Sequence, residues 1–206
     1  MELMARYPDK HFELAIVDPE YGINASKGTW GGSNCVNVTD YGKKDWDKSA
    51  VRGEVLQEVI RVSKNQIIWG ANHFINLIPF GSPCWIVWNK KNSGDFADCE
   101  LAWTSFSTPV RMFEYRWNGM LQEDMKNKEE RIHPTQKPVA LYKWLLDKYA
   151  KAGDKILDTH MGSGSIAIAC HQMGFDLTAC ELDKDYYEAA LKRIELNTRQ
   201  ISIFLQ

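Results

Sequence analysis

The sequence has no long apolar run: its longest, such as Cys84 to Trp88, span five residues, where crossing a bilayer takes about 20. The opening MELMARYPDKHFEL carries no apolar stretch flanked by basic residues, so no secretory leader is expected. A disulfide or zinc framework is also absent. The five cysteines, at 35, 84, 99, 170 and 180, are odd in number and form no C-x-x-C pair. They read as reduced thiols in or near a core, and no metal site is expected. Positive charge is not in excess either. The 25 Lys and Arg stand against 27 Asp and Glu, a net charge of −2. Domains that bind nucleic acid are usually basic, although net charge does not report the charge of one face. No repeat period or low-complexity tract occurs.

What remains is an ordinary globular composition. The 206 residues are 44% hydrophobic and 25% charged, which suits one domain with a real core, residues 1–206 taken together. Hydrophobic periodicity divides the chain into alternating elements. Strands are expected over 12–17, 66–69, 84–89, 100–104, 110–117, 155–159 and 177–181. Helices are expected over 49–63, 72–77, 138–150 and 184–199, the first from Val51, Val55, Val59 and Val62 with Leu56 and Ile60, and a Gly-rich turn with a helix over 162–173. Strands alternating with helices predict an α/β fold with a mostly parallel central sheet and helices on both faces. In such sheets ligands sit at the carboxyl ends of strands. The stretches 22–47 and 118–131 have no period and read as loops.

Two segments carry chemistry at strand ends. In KILDTHMGSGSIA, Gly162, Gly164 and Ala167 follow a strand and open a helix with G-x-G-x-x-A spacing. Glycines there let the backbone approach a ligand whose polar groups meet free N–H groups. The next strand ends at Glu181, followed by Leu182 and Asp183. An acid at this place can accept hydrogen bonds from both ribose hydroxyls. The unit therefore suits an adenosine-type ligand, and both NAD and S-adenosylmethionine fit it. A bare tight turn is the alternative for a glycine pattern alone.

Asp18-Pro19-Glu20-Tyr21 ends the first strand. An exocyclic aromatic amine is a poor nucleophile because its lone pair is delocalised into the ring. The Asp18 carboxylate and the Pro19 carbonyl can each accept one of its N–H bonds, which favours a pyramidal nitrogen with its lone pair aimed at a methyl donor. The ring of Tyr21 can stack on the base. Read alone, D-P-x-Y is equally well a strand end with a proline turn.

Taken in order, DPEYG, ELAWTSF, HPTQKPVAL, ILDTHMGSGS and ACELDKDYY resemble the DNA amino-methyltransferases, which methylate adenine N6 or cytosine N4 with S-adenosylmethionine. With the catalytic motif first and the cofactor motif last, the resemblance is to the β class and covers nearly the whole chain. It implies a Rossmann-like methyltransferase fold and S-adenosylmethionine as cofactor. It makes Asp18, Pro19, Glu20 and Tyr21 the catalytic tetrapeptide. Asp158, Gly162, Ser163 and Gly164 would surround the methionine part of the cofactor, with His160 beside them. Glu181, Leu182 and Asp183 would hold the ribose side. His133, Thr135 and Lys137 would line the pocket, with Lys137 a partner for a carboxylate and His133 a packing residue. Adenine N6 is the first expectation, because Asp opens the tetrapeptide. Cytosine N4 is the alternative, and an NAD-binding oxidoreductase a more distant one, since it leaves DPEY and HPTQKP without a role.

The chain departs from the family pattern in three places. Glu20 replaces a proline, and Thr159-His160 replaces Pro-Phe before the glycine turn. Residues 118–131 are too short for the usual target-recognition region. The partner implied is double-stranded DNA, which demands base flipping. Loop 22–47, with Trp30 and Tyr41, is the candidate lid. Lys43, Lys44, Lys90, Lys91, Lys126, Lys128 and Arg131 are candidate phosphate contacts. The small basic surface fits DNA binding shared in a homodimer. A cognate restriction endonuclease and a cytoplasmic location, in a prokaryotic or phage-infected cell, complete the expectations; no membrane is involved. Trp69, Trp85, Trp88, Trp103, Trp117 and Trp144 are expected in the core or on sheet faces.

Overall fold

The computed structural model describes residues 1–25, 44–92, 97–118 and 121–204. Most of the candidate lid, with Trp30, Tyr41 and Lys43, lies outside them, as does Cys35. The strands are β1 (Phe12–Val17), β2 (Ser63–Trp69), β3 (Trp85–Asn89), β4 (Cys99–Thr104), β5 (Arg111–Glu114), β6 (Trp117–Asn118), β7 (Leu121–Gln122), β8 (Lys155–Asp158) and β9 (Asp176–Ala179). The helices are α1 (Gly53–Val62), α2 (Val139–Tyr149), α3 (Ser165–Met173) and α4 (Lys184–Phe204).

Seven strands form one sheet in the order β5-β3-β4-β2-β1-β8-β9. All its pairings are parallel except those of β4, which runs against both neighbours. The carboxyl ends of the other six strands therefore share one edge with the beginning of β4. Strand residues alternate between two apolar layers, as the pleat requires. Leu14 and Ile16 pack with Leu141, Leu145, Ile166 and Ala169 of α2 and α3. Ala15 and Val17 pack with Leu56, Val59 and Val62 of α1. Helices thus cover both faces. Trp69, Trp88, Trp103 and Trp117 are buried, while Trp85 and Trp144 pack against the two layers. The four described cysteines are free.

Several boundaries differ from the periodicity. Helix α1 begins at Gly53 rather than residue 49. Residues 50 and 51 are extended instead, because Ala50 bridges to Tyr21 and Val51 N–H donates to the Glu20 carbonyl at 3.0 Å. The expected helix over 72–77 is two single 3₁₀ turns, Ala71–His73 and Ile75–Leu77. Pro138 is the N-cap of α2 and not its first residue. Stretch 118–131, expected to be a loop, contains β7 of the short β6–β7 hairpin. Its buried Gln122 exchanges hydrogen bonds with the Glu129 backbone at 2.8 Å each.

Among the described residues, no helix is long and apolar enough to cross a membrane. Leu145 is buried between α2 and the sheet. Leu145→Ala should lower unfolding free energy by about 2–5 kcal/mol, the usual range for a deleted core side chain, measured by urea denaturation.

Candidate active site

The carboxyl edge of the sheet opens into a cavity of about 330 Å³. Its wall includes Asp18, Pro19, Glu20 and Tyr21, from the turn after β1. Thr159, His160, Met161, Gly162 and Ser163 come from the turn after β8. Glu181, Leu182 and Asp183 come from the end of β9, and His133, Thr135, Gln136 and Lys137 from the loop before α2. Two expected site residues are not on this wall. Asp158 is buried behind it, and a Cβ on Gly164 would meet Ile194 of α4 at 2.9 Å. Gly164 serves close helix packing.

The Asp18–Tyr21 turn is held by a buried cation. Lys137 Nζ donates to Asp18 Oδ2 at 2.5 Å, and Tyr21 Oη donates to Asp18 Oδ1 at 2.6 Å. The Lys137 side chain is 2% exposed, and its Nζ lies 3.1 Å from Glu100 Oε2. Glu100 also pairs with Lys90. Burial alone would raise the Glu100 carboxyl, but Lys137 and Lys90 hold it at about 2. Burial opposes the charge on Lys137 as well, and Asp18 and Glu100 outweigh it, raising its pKa. Lys137, expected to line the pocket and to partner a carboxylate, thus directs its ammonium at Asp18. Glu100 had no expected role. Its signal was an acid inside the apolar string ELAW, and it reaches this edge because β4 is antiparallel.

Tyr21 is seated closely. Its ring stacks on His73 with centroids 5.0 Å apart and planes at 14°. Gly70, at φ +68°, lies so near that a Cβ there would fall 2.0 Å from a Tyr21 ring carbon. Burial, and then the Asp18 charge, raise the Tyr21 phenol well above its usual pKa, so the hydroxyl stays a donor.

On the other side, Gly162 N–H donates to Glu181 Oε2 at 2.8 Å and Asp183 N–H donates to Oε1 at 2.9 Å. Asp183 Oδ1 caps α4 by accepting from the N–H groups of Asp185 and Tyr186. Leu182 is 99% exposed beside the cavity. His133 accepts from Thr135 N–H through Nδ1 at 3.3 Å and meets the Tyr186 ring edge-on at 4.2 Å. Burial holds its pKa near 3, so it is a neutral packing group. Arg193 of α4 ties this wall together. It donates to the Ser163 carbonyl, to Ser165 Oγ and to Glu129 Oε2, and Glu129 Oε1 accepts from Val139 N–H at the start of α2.

The two polar departures face each other. His160 Nε2 lies 3.6 Å from Glu20 Oε2, and its Nδ1 contacts Thr159 Oγ1 at 2.9 Å. Burial lowers the His160 pKa. The seam between tetrapeptide and glycine turn is therefore a polar pair. Of the candidate phosphate contacts, Lys44, Lys90 and Lys91 each pair with an acid. Among the described residues, no cluster of His, Cys, Asp or Glu could hold a metal ion.

Two outcomes follow from this geometry. Gly70→Ala should cost about 1–3 kcal/mol, because it strains φ and displaces Tyr21. Gly81→Ala is the control, since a Cβ there meets nothing within 4 Å; urea denaturation compares the two. Asp158 provides a pH test. Burial raises its carboxyl to about 8, above the roughly 3.9 of an unfolded Asp. Its contribution to stability is complete below that unfolded value and is lost as pH rises through about 8. Asp158→Asn should therefore raise the melting temperature more at pH 9 than at pH 5.

Comparison with known proteins gives a consistent picture. A family model described as DNA methylase, for N6 and N4 enzymes, matches residues 20–192. The type II methyltransferase M2.DpnII of Streptococcus pneumoniae is 23% identical over 94% of this chain and 86% of its own length. M.HpaI of Haemophilus parainfluenzae is 35% identical over 69 residues, 34% of this chain and 22% of its own. Among solved structures, the putative DNA modification methylase TTHA0409 of Thermus thermophilus, complexed with S-adenosyl-L-methionine, has a TM-score of 0.57 at 17% identity, covering 96% of this chain and 92% of its own. The cytosine-N4-specific PvuII DNA methyltransferase has a TM-score of 0.61 at 10% identity, covering 96% and 87%. These two likenesses establish the Rossmann-like methyltransferase fold.

Proposed function

The chain belongs to the N6/N4 family of DNA methylases, and on that premise we propose that it transfers a methyl group from S-adenosylmethionine to the N6 amine of an adenine in double-stranded DNA. The observation that carries this reading is one cavity whose wall includes both Asp18 and Glu181. The residues on the wall fit the cofactor. Glu181 keeps lone pairs for ribose hydroxyls, and the exposed Leu182 offers an apolar contact beside it. Behind them, burial leaves Asp158 with its pKa near 8, and a ligand ammonium would favour its ionised form. When bound, the cofactor supplies an electrophilic methyl group on a sulfonium.

The protein's own part is to present the amine. Asp18, held by Lys137 and Tyr21, still has lone pairs on both oxygens to accept one N–H of the base. The Pro19 carbonyl accepts the other. The two hydrogen bonds oppose delocalisation of the nitrogen lone pair into the ring and direct it toward the methyl donor. Tyr21, anchored through its hydroxyl, offers its ring as the surface for the flipped base. The aspartate at the first motif position favours adenine N6; the same hydrogen bonds serve cytosine N4. The reaction belongs where bacterial DNA is, in the cytoplasm.

Methylated DNA digested to nucleosides and analysed by mass spectrometry should contain N6-methyladenine; N4-methylcytosine in its place would reverse the choice of base. Asp18→Ala leaves Lys137 with the Glu100 carboxylate alone, so a melting curve first identifies chains that have not folded; in a folded chain transfer should fall at least about 100-fold, as losing a transition-state hydrogen-bonding group does, while calorimetry shows S-adenosylhomocysteine binding nearly unchanged. Transfer at the wild-type rate would sink the mechanism.

A further inference from the structure

Residues 44–47 make contacts that no sequence motif anticipates. Lys44 Nζ donates to Asp183 Oδ1 and Oδ2 at 2.5 and 2.6 Å and to Asp185 Oδ2 at 2.9 Å. It also lies 4.3 Å from the centroid of the Tyr186 ring. The Trp46 ring sits 5.2 Å from His133 and forms part of the cavity wall. Asp47 is 1% exposed and accepts from the N–H groups of Tyr21, Gly22 and Ala25 at 2.9, 2.8 and 2.7 Å. These residues thus touch the first turn of α4, the loop before α2 and the catalytic tetrapeptide.

We propose that residues 44–47 are a strap joining the two halves of the site, in which Trp46 contacts the methyl donor and Asp47 positions Tyr21. The inference rests on the cofactor reading above. Trp46 presents a flat apolar surface on the wall that also carries Glu181, Asp183 and Tyr186, and such a surface suits the adenosyl part of the donor. Lys44 neutralises Asp183 and leaves Glu181 for the hydroxyls. Asp47 acts through the backbone. A buried carboxylate shared by three N–H groups makes charge-assisted hydrogen bonds, and these set where the chain turns after Tyr21. Gly22 takes φ +75° there, with room for no Cβ against Ala50 N. Moving the strap therefore moves the cofactor wall and the base platform together.

The test uses the full chain, with S-adenosylhomocysteine titrations and single-turnover transfer to DNA. Trp46→Ala and Lys44→Met should each weaken S-adenosylhomocysteine binding about 10-fold, with the loss falling on cofactor KM more than on kcat, and Trp46→Phe should recover most of it. Asp47→Asn should slow single-turnover transfer at saturating cofactor by about 10-fold or more. Melting curves identify chains that have not folded, and if Asp47→Asn is one of them, the Trp46 variants decide. A folded Trp46→Ala chain that binds as tightly as wild type overturns the proposal, and so does an Asp47→Asn chain at the wild-type rate. A wild-type chain that fails to bind S-adenosylhomocysteine overturns the cofactor reading instead.

Discussion

The ammonium of Lys137 is the charge around which the site is arranged. It sits away from water between Asp18 and Glu100. Burying a charge is costly, and breaking a buried pair by removing one partner typically costs about 3–5 kcal/mol. The three groups therefore hold one another in place. Asp18 comes from the end of β1, Glu100 from the start of β4, and Lys137 from the loop before α2. Their meeting requires β4 to run against its neighbours. One reversed strand thereby brings an additional carboxylate to the edge where ligands bind. Lys90, just after β3, pairs with Glu100 and completes the alternation of charge.

A second arrangement fixes the wall around the glycine turn. Arg193 reaches from α4 to the glycine turn and to Glu129, which in turn accepts from the first N–H of α2. Ser165 Oγ donates to the Lys137 carbonyl at 2.7 Å. The backbone that carries Lys137 is thus bonded to the start of α3. The two networks share the loop before α2, so the Asp18–Tyr21 turn and the glycine turn are not independent rigid pieces. The strap at 44–47 adds a third connection on the outside of the cavity.

Much of this was legible in local pattern. Asp-Pro-Glu-Tyr after an apolar strand, a glycine turn opening a helix, and Glu181 at a strand end each depend on neighbours within a few residues. All three stand at strand ends on one cavity. Periodicity also found the sheet and its main helices. It misread 49–52 as helix because Val51 fits a helical stripe, yet that valine's N–H bonds to Glu20. It missed β7 because two-residue strands carry no period. Lys44 was a candidate phosphate contact, but Asp183 and Asp185, some 140 residues later, take its charge.

The sequence by itself determined the chemistry available at each strand end, since turn geometry and side-chain type are local properties. It also determined the family, because several motifs occur in a fixed order. Only the tertiary structure decided which charges meet. The Lys137–Asp18 contact spans 119 residues, and the facing of Glu20 and His160 joins turns after two different strands. Contacts at such separations follow from strand order and direction, and no window of the sequence contains those. The three-fold clasp by Asp47 has the same origin: a lone aspartate in a polar stretch reads as solvated surface until the chain folds back and buries it.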